Sequence, residues 1–204
     1  MTGVRVLIHN SDEGVERALR ERGLELVGDL DADALVTFGP PPQLRSLADI
    51  PPDVWRARFN AWTQEPFWRF QAWLRELLRR DGLGRWVAVT STLGVTPLPG
   101  GGADGTAAMA LQTLVRVAAI EYGDRGLRAN VIAPGWRVDQ SPAALDRDLA
   151  VSDTPTRRLS TADDVAAAVA WLLSGDADQL NGEIIRLDGG YTITRGSRSN
   201  PTKR

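Results

Sequence analysis

Ile120-Glu121-Tyr122-Gly123-Asp124-Arg125-Gly126-Leu127-Arg128-Ala129-Asn130-Val131-Ile132-Ala133-Pro134-Gly135 decides how the rest of the chain is read. It holds the end of a helix spanning 106–122. A strand over 128–133 follows, closed by the Pro134-Gly135 stop. A helix followed at once by a short apolar strand is the unit from which parallel sheets are built.

The same alternation extends outward in both directions. Short apolar runs at 4–8, 24–27, 34–38, 86–90 and 183–187 read as strands. Helical patterns fall at 13–22, stopped by Gly23, and at 165–173, after Ser160-Thr161-Ala162-Asp163-Asp164, which resembles a capping sequence. A long helix is expected over 54–80. Trp55, Phe59, Trp62, Phe70, Trp73 and Leu77 form one stripe on it, and Pro66 should kink or interrupt it. The expected fold is α/β: a single Rossmann-like parallel sheet of about six strands with helices on both faces. Residues 1–195 form the domain, and 196–204 form a flexible basic tail.

Composition narrows the function classes. The chain has 204 residues, 43% hydrophobic and 25% charged, with a formal net charge of −2. That balance gives no electrostatic case for nucleic acid or a membrane surface. No signal peptide and no membrane span is expected, and the lack of cysteine fits a cytoplasmic protein. Without cysteine and with His9 alone, no metal site is expected. Seven tryptophans, four of them at Trp55, Trp62, Trp68 and Trp73, mark a core or an interface.

Three segments carry a family resemblance. They are residues 84–94 (Gly84-Arg85-Trp86-Val87-Ala88-Val89-Thr90-Ser91-Thr92-Leu93-Gly94), the stretch 120–135 quoted above, and the run from Arg158-Leu159-Ser160 through Asp164-Val165-Ala166 to Asp188-Gly189-Gly190. In order and spacing they resemble the short-chain dehydrogenase/reductases. The resemblance covers residues 84–192 well, 34–80 more weakly, and 1–33 poorly.

The resemblance implies a Ser and a Tyr-x-x-x-Lys pair at the active site. The serine maps onto Ser91. The tyrosine position falls on Asp104 and the lysine position on Ala108. A tyrosine there would donate a proton to a carbonyl. A carboxylate charged at neutral pH has none to give, and alanine supplies no cation. The supporting asparagine maps onto Trp62, and the threonine that would hold a nicotinamide amide maps onto Asp139. The turn after the first strand is His9-Asn10-Ser11-Asp12-Glu13-Gly14, where a dinucleotide fold wants a glycine-rich loop. Only six residues separate Val27 from Ala34, too few for the usual helical crossover. The sheet should therefore be shortened at its adenosine-side edge.

With these losses, no cofactor and no ordinary NAD(P)H redox activity are expected. The leading expectation is a non-catalytic structural or regulatory subunit, a homo-oligomer or a hetero-oligomer with an active relative, since the resemblance implies that the helices at 54–80 and 104–122 are assembly surfaces. One alternative is a cofactor-independent enzyme or binder of a small apolar or aromatic ligand. Ser91 and Asp104 would be its catalytic residues, and Trp62, Trp136 and Asp139 would line its pocket. A second alternative is an atypical NAD(P)-dependent oxidoreductase. Asp104 also reads as a helix N-cap, Ser91 as a strand-end residue, and the tryptophans as packing.

Overall fold

The computed structural model describes residues 3–143 and 145–194. The apolar runs become six strands: β1 (Arg5–His9), β2 (Glu25–Val27), β3 (Ala34–Phe38), β4 (Gly84–Val89), β5 (Leu127–Pro134) and β6 (Ile184–Leu187). They form one sheet in the order β2-β1-β3-β4-β5-β6, and every pair is parallel.

Alternate side chains point to opposite faces, and each face is covered. On one face Val6, Val36, Val87 and Ile132 meet Val15 and Leu19 of α1 (Glu13–Glu21) and Val165 and Val169 of α6 (Ala162–Leu172). On the other, Leu7, Leu35, Trp86 and Val131 meet Phe70, Trp73 and Leu77 of α3 (Glu65–Arg79) and Leu111 and Val115 of α4 (Gly102–Tyr122). Two of the fully buried indoles keep partners: Trp73 Nε1 donates to the Ala32 carbonyl at 3.0 Å, and Trp86 Nε1 to Thr37 Oγ1 at 3.1 Å.

The short link from β2 to β3 has a geometric reason. Val27 of β2 lies level with Leu7, and Ala34 of β3 lies level with Val6, one residue back along β1. Because β2 is so short, the chain ends it level with the start of β3. It has to cross only β1, with no strand length to travel back, and residues 28–33 suffice. The crossing lies on the α3 side, where Leu30 and Ala32 join that core.

The long helix is interrupted, one turn earlier than the proline. α2 (Pro52–Phe59) runs into a wide turn, Asn60–Gln64, in which the Glu65 N–H reaches back five residues to the Asn60 carbonyl. Pro66 has no N–H for the carbonyl of Trp62, and it sits in the first turn of α3, where none is needed. The extra residue in the wide turn rotates the register by about 100°. Trp62, Phe70, Trp73 and Leu77 are therefore buried, while Trp55, expected on the same stripe, is 37% exposed. α5 (Arg147–Asp153) and α7 (Tyr191–Thr194) were not expected. The basic tail expected at 196–204 lies outside the described residues. No helix among the described residues is long and apolar enough to cross a membrane.

The capping sequence before α6 closes as a box: Thr161 Oγ1 accepts from the Asp164 N–H, and Asp164 accepts from the Thr161 N–H. The hydrogen bond from Arg158 is the largest of the effects that bring the Asp164 carboxyl down from 3.8 to about 2. Its stabilising effect is full above 3.8 and is lost as pH falls toward 2. Asp164→Ala is expected to cost about 1 kcal/mol in urea unfolding at pH 7. The gap to the unaltered protein should narrow as the melts are repeated between pH 4 and pH 2.

Candidate functional site

In a parallel sheet the C-terminal strand ends diverge where the strand order reverses, and a crevice opens there. Here the reversal is at β1, which has β2 on one side and β3 on the other. A cavity of about 220 Å³ lies at these strand ends. Asn10, Gly39, Ser91, Gly135 and the indole of Trp62 form part of its wall. Asn10 makes the turn out of β1 with φ 61°, in the left-handed region that asparagine tolerates.

Trp62 is nearly fully buried and packs on Ala107 and Ala108 of α4. On its other side it lies against Gly39, where an added Cβ would come within 2.1 Å of the indole. A bulky ring at 62 therefore requires glycine at 39, and it covers the backbone at the position where the resemblance implies a lysine. Its Nε1 is buried without a partner. Trp62 is thus both packing and cavity wall.

Asp104 is not an N-cap. α4 begins at Gly102, with Gly101 as its cap residue, and Asp104 lies inside the first turn. Its carboxylate is 1% exposed and meets Arg58 of α2 in a two-pronged pair, Nε to Oδ1 at 2.7 Å and Nη2 to Oδ2 at 2.7 Å. Oδ2 also accepts from the Gln43 N–H at 2.6 Å, and Arg58 Nη2 reaches the Pro41 carbonyl at 2.7 Å. Both lone-pair sets are used, which is how a buried charge is tolerated. The pair fastens the Pro40-Pro41-Pro42 segment, itself cavity wall, onto α4. Arg58 lies one turn before Trp62, so the i, i+4 spacing was the available signal for it, and it was missed.

Ser91 lines the cavity at the end of β4 and caps the short turn Thr92–Gly94, accepting from the Leu93 N–H at 3.2 Å. Its hydroxyl proton can still be offered to an acceptor in the cavity. Gln112 of α4, also missed, steadies this strand end through Thr90 Oγ1 at 3.0 Å and the Ser91 carbonyl at 3.2 Å. α4 approaches closely enough that a Cβ at Gly94 would lie 2.9 Å from the Met109 nitrogen.

The rim opposite is ionic. Asp12 caps α1, its Oδ1 accepting from the Val15 N–H at 2.9 Å. Its Oδ2 accepts from buried Arg137 and from Gln140, each at 2.9 Å. Asp139 holds the same guanidinium through Nε at 3.1 Å. Asp139 thus reaches the site only through Arg137. Trp136, expected in the pocket wall, faces away and packs with Leu93, Leu159 and Tyr191. The chain turns it out of the cleft while its neighbours Gly135 and Arg137 line it.

For a nicotinamide dinucleotide these residues fit at one end only. The cavity sits where a nicotinamide ring would meet Ser91. At the N-terminus of α1, where a pyrophosphate would be favoured, the Asp12 carboxylate already takes the helix N–H and the Arg137 guanidinium. Among the described residues no cluster of three or more acidic or histidine side chains could hold a metal ion.

A family model described as enoyl-(acyl carrier protein) reductase matches residues 12–192. The chain is 29% identical over 197 residues to the uncharacterized oxidoreductase YohF of Escherichia coli, covering 94% of this chain and 77% of that protein. It is 33% identical over 120 residues to the 2-(R)-hydroxypropyl-CoM dehydrogenase of Xanthobacter autotrophicus, 55% of this chain and 47% of the relative. The chain spans about half the length of most of the curated relatives it matches. Among solved structures, a 3-ketoacyl-(acyl-carrier-protein) reductase from Brucella melitensis, complexed with NADH, superposes with a TM-score of 0.80. The identity is 17%, and 94% of this chain and 99% of that one are covered.

The chain belongs to the short-chain dehydrogenase/reductase family. The expectation of a non-catalytic subunit, with a cofactor-independent binder as its first alternative, is contradicted: relatives across the family are named as dehydrogenases and oxidoreductases. That expectation rested on the missing Tyr-x-x-x-Lys pair, the glycine-poor turn at 9–14 and the short link at 28–33 together.

Removing one member of the Arg58–Asp104 pair strands the other charge in the interior. Asp104→Ala is expected to lower stability by about 3–5 kcal/mol in urea unfolding. The Arg58→Ala, Asp104→Ala double variant should lose less than the sum of the two single losses, and strict additivity would show that the pair is not coupled.

Proposed function

We propose that the chain is a nicotinamide-nucleotide-dependent oxidoreductase acting on a small carbonyl or alcohol substrate in the cleft above Ser91. The observation that carries this reading is the cavity at the switch point of the sheet, with the Ser91 hydroxyl in its wall. The names of its relatives support the reaction class. A bound nicotinamide would supply or accept the hydride equivalent.

The remaining roles belong to this chain. Ser91 orients and polarises the substrate oxygen through its hydroxyl proton. Trp62, Phe38 and the triproline segment give the cavity apolar walls that exclude water. At about 220 Å³ the cavity is below the usual range for drug-sized ligands, about 300–1,000 Å³, so it accommodates a reacting centre and little more. Arg58 and Asp104 do not line the cavity and act by holding the loop. In this reading the sites of the tyrosine and lysine have been converted to support.

The test is titration of the purified protein with NADH and NADPH, followed by calorimetry and tryptophan fluorescence. Saturable binding in the micromolar range is expected. No binding at millimolar cofactor would sink the reading. Asp12→Ser keeps an N-cap but withdraws the carboxylate that competes for the α1 N-terminus. It is expected to tighten cofactor binding severalfold in the same titration, and weaker binding would show that Asp12 assists rather than competes.

A further inference from the structure

A recess of about 390 Å³ opens at the N-terminal ends of the strands, at the opposite end of the sheet from the cleft. It is larger than the cleft and lies within the usual range for small-molecule pockets, about 300–1,000 Å³. Asp33 and Ala34 border it where β3 begins, Arg85 at the start of β4, and Arg128 at the start of β5.

The strand register puts both room and charge there. Ala34, Arg85 and Arg128 lie level on neighbouring strands. They share the parity of Val36, Val87 and Ile132, so all three face the α1 and α6 side. Alanine at 34 ends at its Cβ and leaves space beside Arg85. Like charges level on adjacent strands repel. One residue mediates between them: Asp178 pairs with Arg85 Nη2 through its carboxylate, and its carbonyl accepts from Arg128 Nε at 2.7 Å.

Hydrogen-bonding capacity of both signs is left over. Arg128 Nη1 is held by the carbonyls of Gly123 and Leu127, each at 3.1 Å. Its Nη2 has no partner among the described residues and, unlike Arg85 Nη1, is not sealed from solvent. Asp33 is exposed; its Oδ2 accepts from the Arg5 N–H at 3.0 Å, and its Oδ1 has no partner among the described residues. Leu83 at the rim is 78% exposed and forms an aliphatic wall with buried Leu173. The two guanidinium groups and the carboxylates of Asp33 and Asp178 cancel, so the lining is neutral as a whole.

We propose that this recess binds a free α-amino acid with an aliphatic side chain. Its carboxylate pairs with Arg128 Nη2, its ammonium donates to Asp33 Oδ1, and its side chain lies against Leu83 and Leu173. Asp33 and Arg128 stand two strand spacings apart, about 10 Å, which a dipolar head with a hydrogen bond at each end spans. A bare anion would meet two carboxylates here, and a bare cation two guanidinium groups. A dipolar ligand answers both signs at once. The recess lies at the far end of the sheet from Ser91, so its occupancy is independent of the oxidoreductase reading.

The experiment titrates the full chain with leucine by calorimetry. Leucinamide, 4-methylpentanoate and glycine are run as parallel arms; they lack the carboxylate, the ammonium and the aliphatic side chain in turn. Asp33→Asn removes the charge and keeps an acceptor for the Arg5 N–H, and Leu83→Ala trims an exposed side chain. Both variants should keep the fold, which circular dichroism checks. Saturable leucine binding is expected, weakened about tenfold by Asp33→Asn and severalfold by Leu83→Ala. Each of the three analogues should bind at least about tenfold more weakly than leucine. Leucine that fails to saturate at millimolar concentration overturns the proposal, as does leucine binding that either variant leaves unchanged. Leucinamide or 4-methylpentanoate binding as tightly as leucine would show that one charge suffices, and overturns the dipolar assignment.

Discussion

The geometry of the cleft depends on one constraint: the chain passes from one side of β1 to the other in residues 28–33. A loop of that length can link two parallel strands only if the first ends level with the start of the second. That holds β2 to three residues, ending opposite Leu7. It also decides what covers β1. A loop pinned by Trp73 and Arg80 seals Leu7 into the α3-side core, but it has no length left to reach His9. The switch point is kept, since β2 and β3 still flank β1. The apparatus that usually surrounds it is reduced.

The cleft shows a coupled exchange of polar for packed support. Alanine at 108 frees volume beside α4, and Trp62 fills it. The indole then demands glycine at 39. Aspartate at 104 would be an unpaired buried charge, and Arg58 from the preceding turn neutralises it while gripping the Pro41 carbonyl. Each substitution alone would be destabilising by cavity or by stranded charge; as sets they are mutually satisfied.

Much of this was legible in the residues. Runs such as 34–38 and 86–90 are apolar but for Thr37 and Thr90 because both faces of the strand are covered, and the sequence shows that directly. The capping box at Thr161 and Asp164 was visible as a motif. What was not legible depended on three dimensions. Periodicity alone could not reveal the wide turn at 60–64, which rotates Trp55 off the stripe. α5 carries charges without an apolar period and is held by its Asp146 cap. The partner of Asp104 lies 46 residues away, so its aspartate could be read only as a cap or a base. Trp136 and Arg137 are adjacent in the chain yet face opposite ways, one into the core and one into the cleft. The sequence shows Asp12 in the glycine-poor turn after β1, and the structure adds that Arg137 and Gln140 fix it in place.

Magnitudes explain why losing the proton-donor positions is a poor argument against oxidoreduction. A positioned general acid contributes about 10²–10⁴ in rate, whereas enzymes accelerate their reactions by about 10⁶–10¹⁷. Most of that larger factor comes from holding reactants together in a dry, preorganised site. The elements responsible for holding are those this chain retains: the crevice at β1, the Ser91 hydroxyl steadied through Gln112, and a loop clamped by a buried ion pair. In the proposed reaction the Ser91 hydroxyl would pass the proton to or from the substrate oxygen, exchanging it with solvent while the cleft is open, at a cost in rate. In the proposed reaction the missing pair therefore bears on speed.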